Sequence, residues 1–203
     1  MIIGVILIII LIGLDQGLKY LAQYLLSGKT EAVVWIPKSL EFFYVENSGA
    51  AWGLFQGKQL FFFIITIVAL IAFGYMFTKS NFRKRKVYSL SIVFLIAGTI
   101  GNALDRLILG YVIDFIHIPF LTPILGVVKL SNFWFNIADL LLTVGIVLLI
   151  IDLLFIAPKR SNEREKDRSI YEVIESKDEQ PNKNWCLSSR KYWLFTKLLA
   201  KTN

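Results

Sequence analysis

The sequence predicts a mainly α membrane protein: a four-transmembrane-helix bundle with a small β-rich extracytoplasmic loop region. Three observations predict it. Of the 203 residues, 56% are hydrophobic and the mean hydropathy is +0.61, too apolar for a soluble domain of this size. Four stretches reach or approach the roughly 20 apolar residues that cross a bilayer. The first long loop between them is rich in strand-forming side chains.

The spans fall at about 1–26, 60–77, 87–109 and 133–156. The first opens with 14 uncharged residues before Asp15 and Lys19. Lys19 follows Asp15 by four, on the same helical face, so the helix continues through both. A cleaved signal peptide is the disfavoured reading, since no basic start and no small-x-small site precede Asp15. Residues 27–59 contain "AVVWIPKSLEFFYVEN", which predicts short strands at the membrane surface with Trp35, Phe42, Phe43 and Tyr44 as interfacial anchors. The second long loop, 110–133, holds Pro119 and Pro123 and is not one continuous helix. Residues 1–157 read as one membrane domain and 158–203 as a charged tail. Within that tail, 159–184 is expected to be flexible. "WCLSSRKYWLFTKLLAK", 185–201, reads either as a basic amphipathic helix on the inner membrane surface or as a disordered end.

Charge sets the expected topology. "KSNFRKRK" between spans two and three holds five basic residues and no acid, and the tail holds eleven basic and seven acidic residues. Residues 27–59 hold three of each sign and 110–133 one of each. The positive-inside rule then puts both termini in the cytoplasm and both long loops outside. The net charge of +7 is thus a topological signal rather than a nucleic-acid footprint. One cysteine, Cys186, in the tail, excludes an intrachain disulfide and an outer thiol nucleophile. One histidine, His117, cannot build a histidine-rich metal site and reads as an interfacial or structural residue.

Ionisable groups in spans are costly and mark function. Asp15 lies roughly 20 Å into the first helix from its inner end. Asp105 reaches the outer edge of the third span, Asp114 follows just after Gly110, and Asp139 sits about 9 Å into the fourth. All four converge on the outer rim. Asp152 lies near the inner end and reads as interfacial. Asp114 and Asp139 flank one antiparallel connection and can meet. Two such carboxyl groups near low dielectric hold one proton between them, the arrangement of an aspartic protease. Asn102 and Asp105 share a face, and Ala97, Gly98 and Gly101 permit close helix packing. Arg106 is placed to neutralise Asp105 or reach lipid phosphate. Asn136 is placed to bond Asp139. In "NSGAAWG" at 47–53, Asn47 reads as a substrate-orienting group, with Gly49, Ala50 and Ala51 leaving room. These residues define a polar outer site. They leave open proteolysis, a small transporter or proton-relay subunit using the same aspartates, and a non-catalytic lipid-binding protein.

Five motifs resemble one family in order: "DQGLKYLA" at 15–22, "NSGAAWGLF" at 47–55, "AGTIGNALDRL" at 97–107, "VIDF" at 112–115 and "FNIAD" at 135–139. The chain resembles lipoprotein signal peptidases (signal peptidase II). The resemblance implies an aspartic endopeptidase of the bacterial inner membrane. It implies removal of signal peptides from diacylglyceryl-modified prolipoproteins by a cut just before the lipidated cysteine. It implies Asp114 and Asp139 as the catalytic pair, supported by Asp15, Lys19, Asn47, Gly101, Asn102, Asp105, Arg106, Asn136 and Ala138. No cofactor or metal is implied. The expected partners are prolipoprotein and membrane phospholipid, and the chain is expected to be a monomer. Trp52 stands where the family usually has phenylalanine, and the tail is longer than the family requires.

Overall fold

The fold is given by a computed structural model that describes residues 1–49, 58–119 and 133–178. In chain order the elements are α1 (Ile2–Leu26), β1 (Val33–Ile36), β2 (Leu40–Asn47), α2 (Gln59–Thr78), α3 (Lys86–Ile108), β3 (Val112–His117), β4 (Trp134–Phe135), α4 (Ile137–Ile151), a π-helical turn (Asp152–Ile156) and α5 (Ala157–Asp178). Among the described residues, four helices are long and apolar enough to cross a membrane, the fourth beginning at Ile137. The first three match the sequence reading to within one residue. The chain divides into two units, 1–153 and 154–203.

In the first unit α3 is the central helix. It packs on α1, α2 and α4. Its buried face runs from Tyr88 through Ile92 and Leu95 to Asp105, the spacing of one helical stripe. Ile92 and Leu95 are covered by Ile8 of α1, Phe73, Met76 and Phe77 of α2, and Leu142 and Leu149 of α4. By contrast α2 buries none of its residues, so its apolar surface is left for lipid. Close approach of α3 to α4 depends on small residues. A Cβ at Gly98 would lie 2.5 Å from the Ala138 carbonyl oxygen, and one at Gly101 would lie 2.6 Å from Asp15 Oδ2.

The expected strands form in the first long loop, and the second adds two more. The four make one antiparallel sheet in the order β1-β2-β3-β4. Two irregularities bend it, one between Val34 and Ile36 and one between Phe42 and Val45. Ile113 and Phe115 of β3 pack on Ala22 and Leu26 at the end of α1, with Phe42 and Tyr44 against them. Two of the aromatics read as anchors are therefore partly core. Trp35 on β1 is exposed.

Four expectations change. Asp114 stands on strand β3, not at a helix rim, because Val112, Ile113, Phe115 and Ile116 favour extended chain and pair with β2. The fourth helix starts at Ile137, not near 133, because Trp134 and Phe135 pair with β3 and Asn136 caps the helix. Asp139 is therefore in the first turn rather than 9 Å deep. Asp152 is fully buried against protein. Finally, 157–178 is helical where flexible chain was expected. Within that segment Arg168 pairs with Glu172 one turn on, a local helix-supporting contact that composition alone does not reveal.

Candidate active site

The acids and amides singled out in the sequence meet where α1, α3, β3 and the start of α4 converge. Asp114 is buried on β3, which sits between β2 and β4. Its Oδ2 accepts a bond from Asn47 Nδ2 of β2 at 2.8 Å. Its Oδ1 accepts from Asn136 Nδ2 at 2.7 Å. Asp139 Oδ1 accepts from Asn102 Nδ2 of α3 at 2.7 Å. Asp139 Oδ2 accepts from the Asn136 backbone N–H at 3.2 Å, and Asn136 Oδ1 takes the Asp139 N–H at 3.0 Å. That reciprocal pair is a capping box, which fixes the entry of α4 and the Asp139 side chain together.

Asn136 is thus the shared partner of the two carboxyl groups: its side-chain amide holds one and its main chain holds the other. It is fully buried, and its Nδ2 also faces Asn102 Oδ1 at 3.1 Å and the Ile113 carbonyl at 3.3 Å. Burial, and then the charge of Asp139, push the Asp114 carboxyl up from 3.8 to about 7, against the opposing bonds from Asn47 and Asn136. A proton is therefore available on Asp114 near neutral pH.

Behind this pair lies a second cluster. Lys19 is buried and its Nζ lies 2.9 Å from both Asp15 Oδ2 and Asp105 Oδ2. The same ammonium donates to Asn102 Oδ1 at 3.1 Å, which orients the Asn102 amide toward Asp139. Each clustered acid also grips the residue just before a member of the pair. Asp15 Oδ1 accepts the Ala138 N–H at 2.8 Å, and Asp105 Oδ2 accepts the Ile113 N–H at 3.1 Å. Ala138 precedes Asp139 and Ile113 precedes Asp114. The cluster is therefore a clamp on both segments that carry the paired carboxyl groups.

Two supporting residues have contacts beyond those of the sequence reading. Arg106 feels the charges of Asp139, Asp114 and Asp105, while the direct ion pair of Asp105 is with Lys19. The Arg106 guanidinium donates to the Gly49 carbonyl at 3.2 Å and the Asn102 carbonyl at 3.3 Å, and lies 4.5 Å from the Phe62 ring centre. Asn47 is committed to Asp114, while its Oδ1 accepts the Gly49 N–H at 3.0 Å. Gly49 is buried between these two contacts. Ala50 and Ala51 lie outside the described residues. Gly101 makes room for Asp15, as the Cβ distance above shows. His117 pairs with Glu41 at 3.2 Å and packs on Trp134 at the sheet, away from the acids.

One residue of this network was missed. Gln16 Nε2 reaches Asp105 Oδ1 at 2.9 Å, the Gly101 carbonyl at 3.0 Å and Asp15 Oδ2 at 3.2 Å. The available signal was an amide between Asp15 and Lys19, just after the 14 uncharged residues that open the helix.

Known proteins resemble this chain over most of its length. Residues 7–155 match the family model described as signal peptidase (SPase) II. The chain is 39% identical to a lipoprotein signal peptidase of Enterococcus faecalis over 147 residues, covering 71% of this chain and 83% of that protein. It is likewise 39% identical to a lipoprotein signal peptidase of Staphylococcus aureus over 166 residues, covering 81% and 93%. Its fold is similar to a bacterial membrane enzyme solved by the in meso method at 2.3 Å resolution, with a TM-score of 0.62 at 35% identity, covering 74% of this chain and 87% of that one. With four membrane-length helices and a matched region that contains every described residue of the two clusters, the chain is a multi-pass membrane protein and belongs to the signal peptidase II family of proteases.

Proposed function

We propose that this protein removes signal peptides from diacylglyceryl-modified prolipoproteins, cutting just before the lipidated cysteine by aspartic protease chemistry. The observation that supports it most is the pair of carboxyl groups coupled through Asn136, one of them titrating near neutrality. Asp114 and Asp139 are the catalytic pair. Asp139 takes a proton from a water whose oxygen attacks the peptide carbonyl carbon. Asp114 gives its proton to the carbonyl oxygen; as the tetrahedral intermediate collapses and the C–N bond breaks, Asp139 passes its proton to the leaving nitrogen and Asp114 takes back the hydroxyl proton. We assign the ionised role to Asp139 because it sits in the first turn of α4, where the helix dipole favours negative charge.

The location suits the substrate. Acyl chains on the cysteine stay in one leaflet, so the scissile bond sits near the headgroups. Basic residues in 79–86 support a topology with both termini in the cytoplasm and the acids at the outer face of the bacterial inner membrane. The transporter or proton-relay alternative is not favoured. α2 contributes no acidic or basic side chain between Gln59 and Thr78, and a relay needs a path across the bilayer.

The test is cleavage of a purified diacylglyceryl prolipoprotein by the full chain, with product mass showing the cut before the modified cysteine. Chelators and serine- or cysteine-directed reagents should leave the rate unchanged. Full activity in Asp114→Asn or Asp139→Asn would defeat the assignment.

A further inference from the structure

Among the described residues, Asp105 Oδ1 has one donor, Gln16 Nε2, while Asp105 Oδ2 takes both Lys19 and the Ile113 N–H. Asp15 divides its bonds similarly: Oδ1 takes the Ala138 N–H, and Oδ2 takes Lys19 with Gln16 close by. Two buried carboxylates therefore share one ammonium and one amide. The ammonium supplies charge, and the amide supplies the remaining donor without adding any. From the Gly101 carbonyl, Gln16 also gains a tie between α1 and the main chain of α3.

We propose that Gln16 is a positioning residue for the reaction: its amide holds Asp15 and Asp105 in the orientation that sets the spacing of the Ala138–Asp139 and Ile113–Asp114 segments. Its effect reaches the reacting groups through the two acids and the main-chain N–H groups they accept. Loss of the amide leaves Asp105 Oδ1 without a donor, so the carboxylate turns to regain one and drags β3 with it. Small displacements of reacting groups lower the rate of the chemical step far more than they weaken substrate binding.

This inference rests on the proposed proteolysis, and the experiment separates the two. Gln16→Met and Gln16→Glu are compared with wild type on a diacylglyceryl prolipoprotein across a pH series, with Asp114→Asn as the inactive control and thermal unfolding as the check on folding. The charged groups facing position 16 are Asp15 and Lys19 of α1 and Asp105 of α3. β3 and α4 face the cluster with main-chain N–H groups. Gln16→Met is expected to lose about 10- to 100-fold in kcat at unchanged KM and by the same factor at every pH. Gln16→Glu is expected to lose at least as much near neutral pH, where it adds a third carboxylate. Its rate relative to wild type should recover as the pH falls, because the protonated acid again donates. A residue that only fills space would give an isosteric Gln16→Glu whose rate relative to wild type does not change with pH. That flat ratio, or a folded Gln16→Met within about twofold of the wild-type kcat, overturns the proposal. If Gln16→Met does not fold, the Gln16→Glu ratio alone decides. Uncleaved substrate with wild type, or cleavage by Asp114→Asn, overturns the proteolytic reading and this inference with it.

Discussion

Two pairs of carboxyl groups occupy the same end of the bundle and are held in opposite ways. Asp15 and Asp105 are gripped by the buried ammonium of Lys19, at 2.9 Å from each. Asp114 and Asp139 are gripped by neutral amides, those of Asn47, Asn102 and Asn136. The difference separates holding from reacting. An ion pair fixes charge in place and makes a rigid clamp. Amides fix orientation but do not neutralise charge, so burial and mutual repulsion keep proton affinity high, and Asp114 rises to about 7. A site that must both donate and accept a proton needs the second kind of support, and a frame that must not move needs the first.

The strongest break of this comparison removes the pair proposed to react. Asp114→Asn and Asp139→Asn keep the shape and one of the two accepting oxygens, but abolish proton transfer. Each is expected to lower kcat by at least about 10³-fold with folding retained. The Asp114→Asn variant carries a second signature. A carboxyl raised from 3.8 to about 7 stabilises the fold fully below about 4, and that contribution fades as the pH rises through about 7. Asp114→Asn removes this dependence, so its thermal stability relative to wild type should improve between pH 4 and pH 8. An inactive variant with an unchanged stability profile would show that Asp114 does not hold its proton as inferred.

Next in size is loss of the clamp. Lys19→Met leaves two buried acids without their cation and should destabilise the membrane unit by about 3–5 kcal/mol. Unfolding in detergent should show it directly. Adding Asp15→Asn to Lys19→Met should recover part of the loss, because one uncompensated charge goes. If Lys19→Met unfolds like wild type, the clamp is not what holds α1, β3 and α4 together.

A finer effect lies between the two pairs. Asn47 opposes the rise at Asp114. In Asn47→Ala that opposition goes, Asp114 keeps its proton to higher pH, and the alkaline limb of the rate profile should move upward from about 7. A shift toward lower pH would reverse the sign assigned to this bond. Asn136→Ala should cost more, because it removes the bridge and the capping box at once.

Much of this was legible in the sequence because hydrocarbon leaves few options. A charged residue in an apolar run must be paired or functional, so Asp15, Lys19, Asp105 and Asp139 stood out. Spacing put Lys19 one turn after Asp15 and Asn136 three before Asp139, and both contacts exist. Other features depend on partners that spacing cannot show. "VIDFIH" read as the rim of a helix pair, yet its β-branched and aromatic residues pair with a strand more than 60 residues earlier. Arg106 had two charged partners on paper, and Lys19 reached Asp105 first. Gln16 carried no charge and so raised no alarm, although it bonds both acids.

The smallest effect tests whether distance or burial gives an ion pair its worth. Arg168 and Glu172 on α5 approach to 3.0 Å, nearly the separation of the Lys19 pairs, but their side chains are 82% and 65% exposed. Water and salt screen such a pair, and holding two long side chains together costs entropy. The order also matters, since the acid lies after the base along the helix, the less favourable arrangement. Glu172→Gln should therefore shift the thermal midpoint by less than about 1 °C. Raising the salt concentration should change wild type and variant alike. A shift approaching that of Lys19→Met would mean that proximity alone fixes the strength of a pair in this protein, and that desolvation is not what makes the Lys19 cluster a clamp.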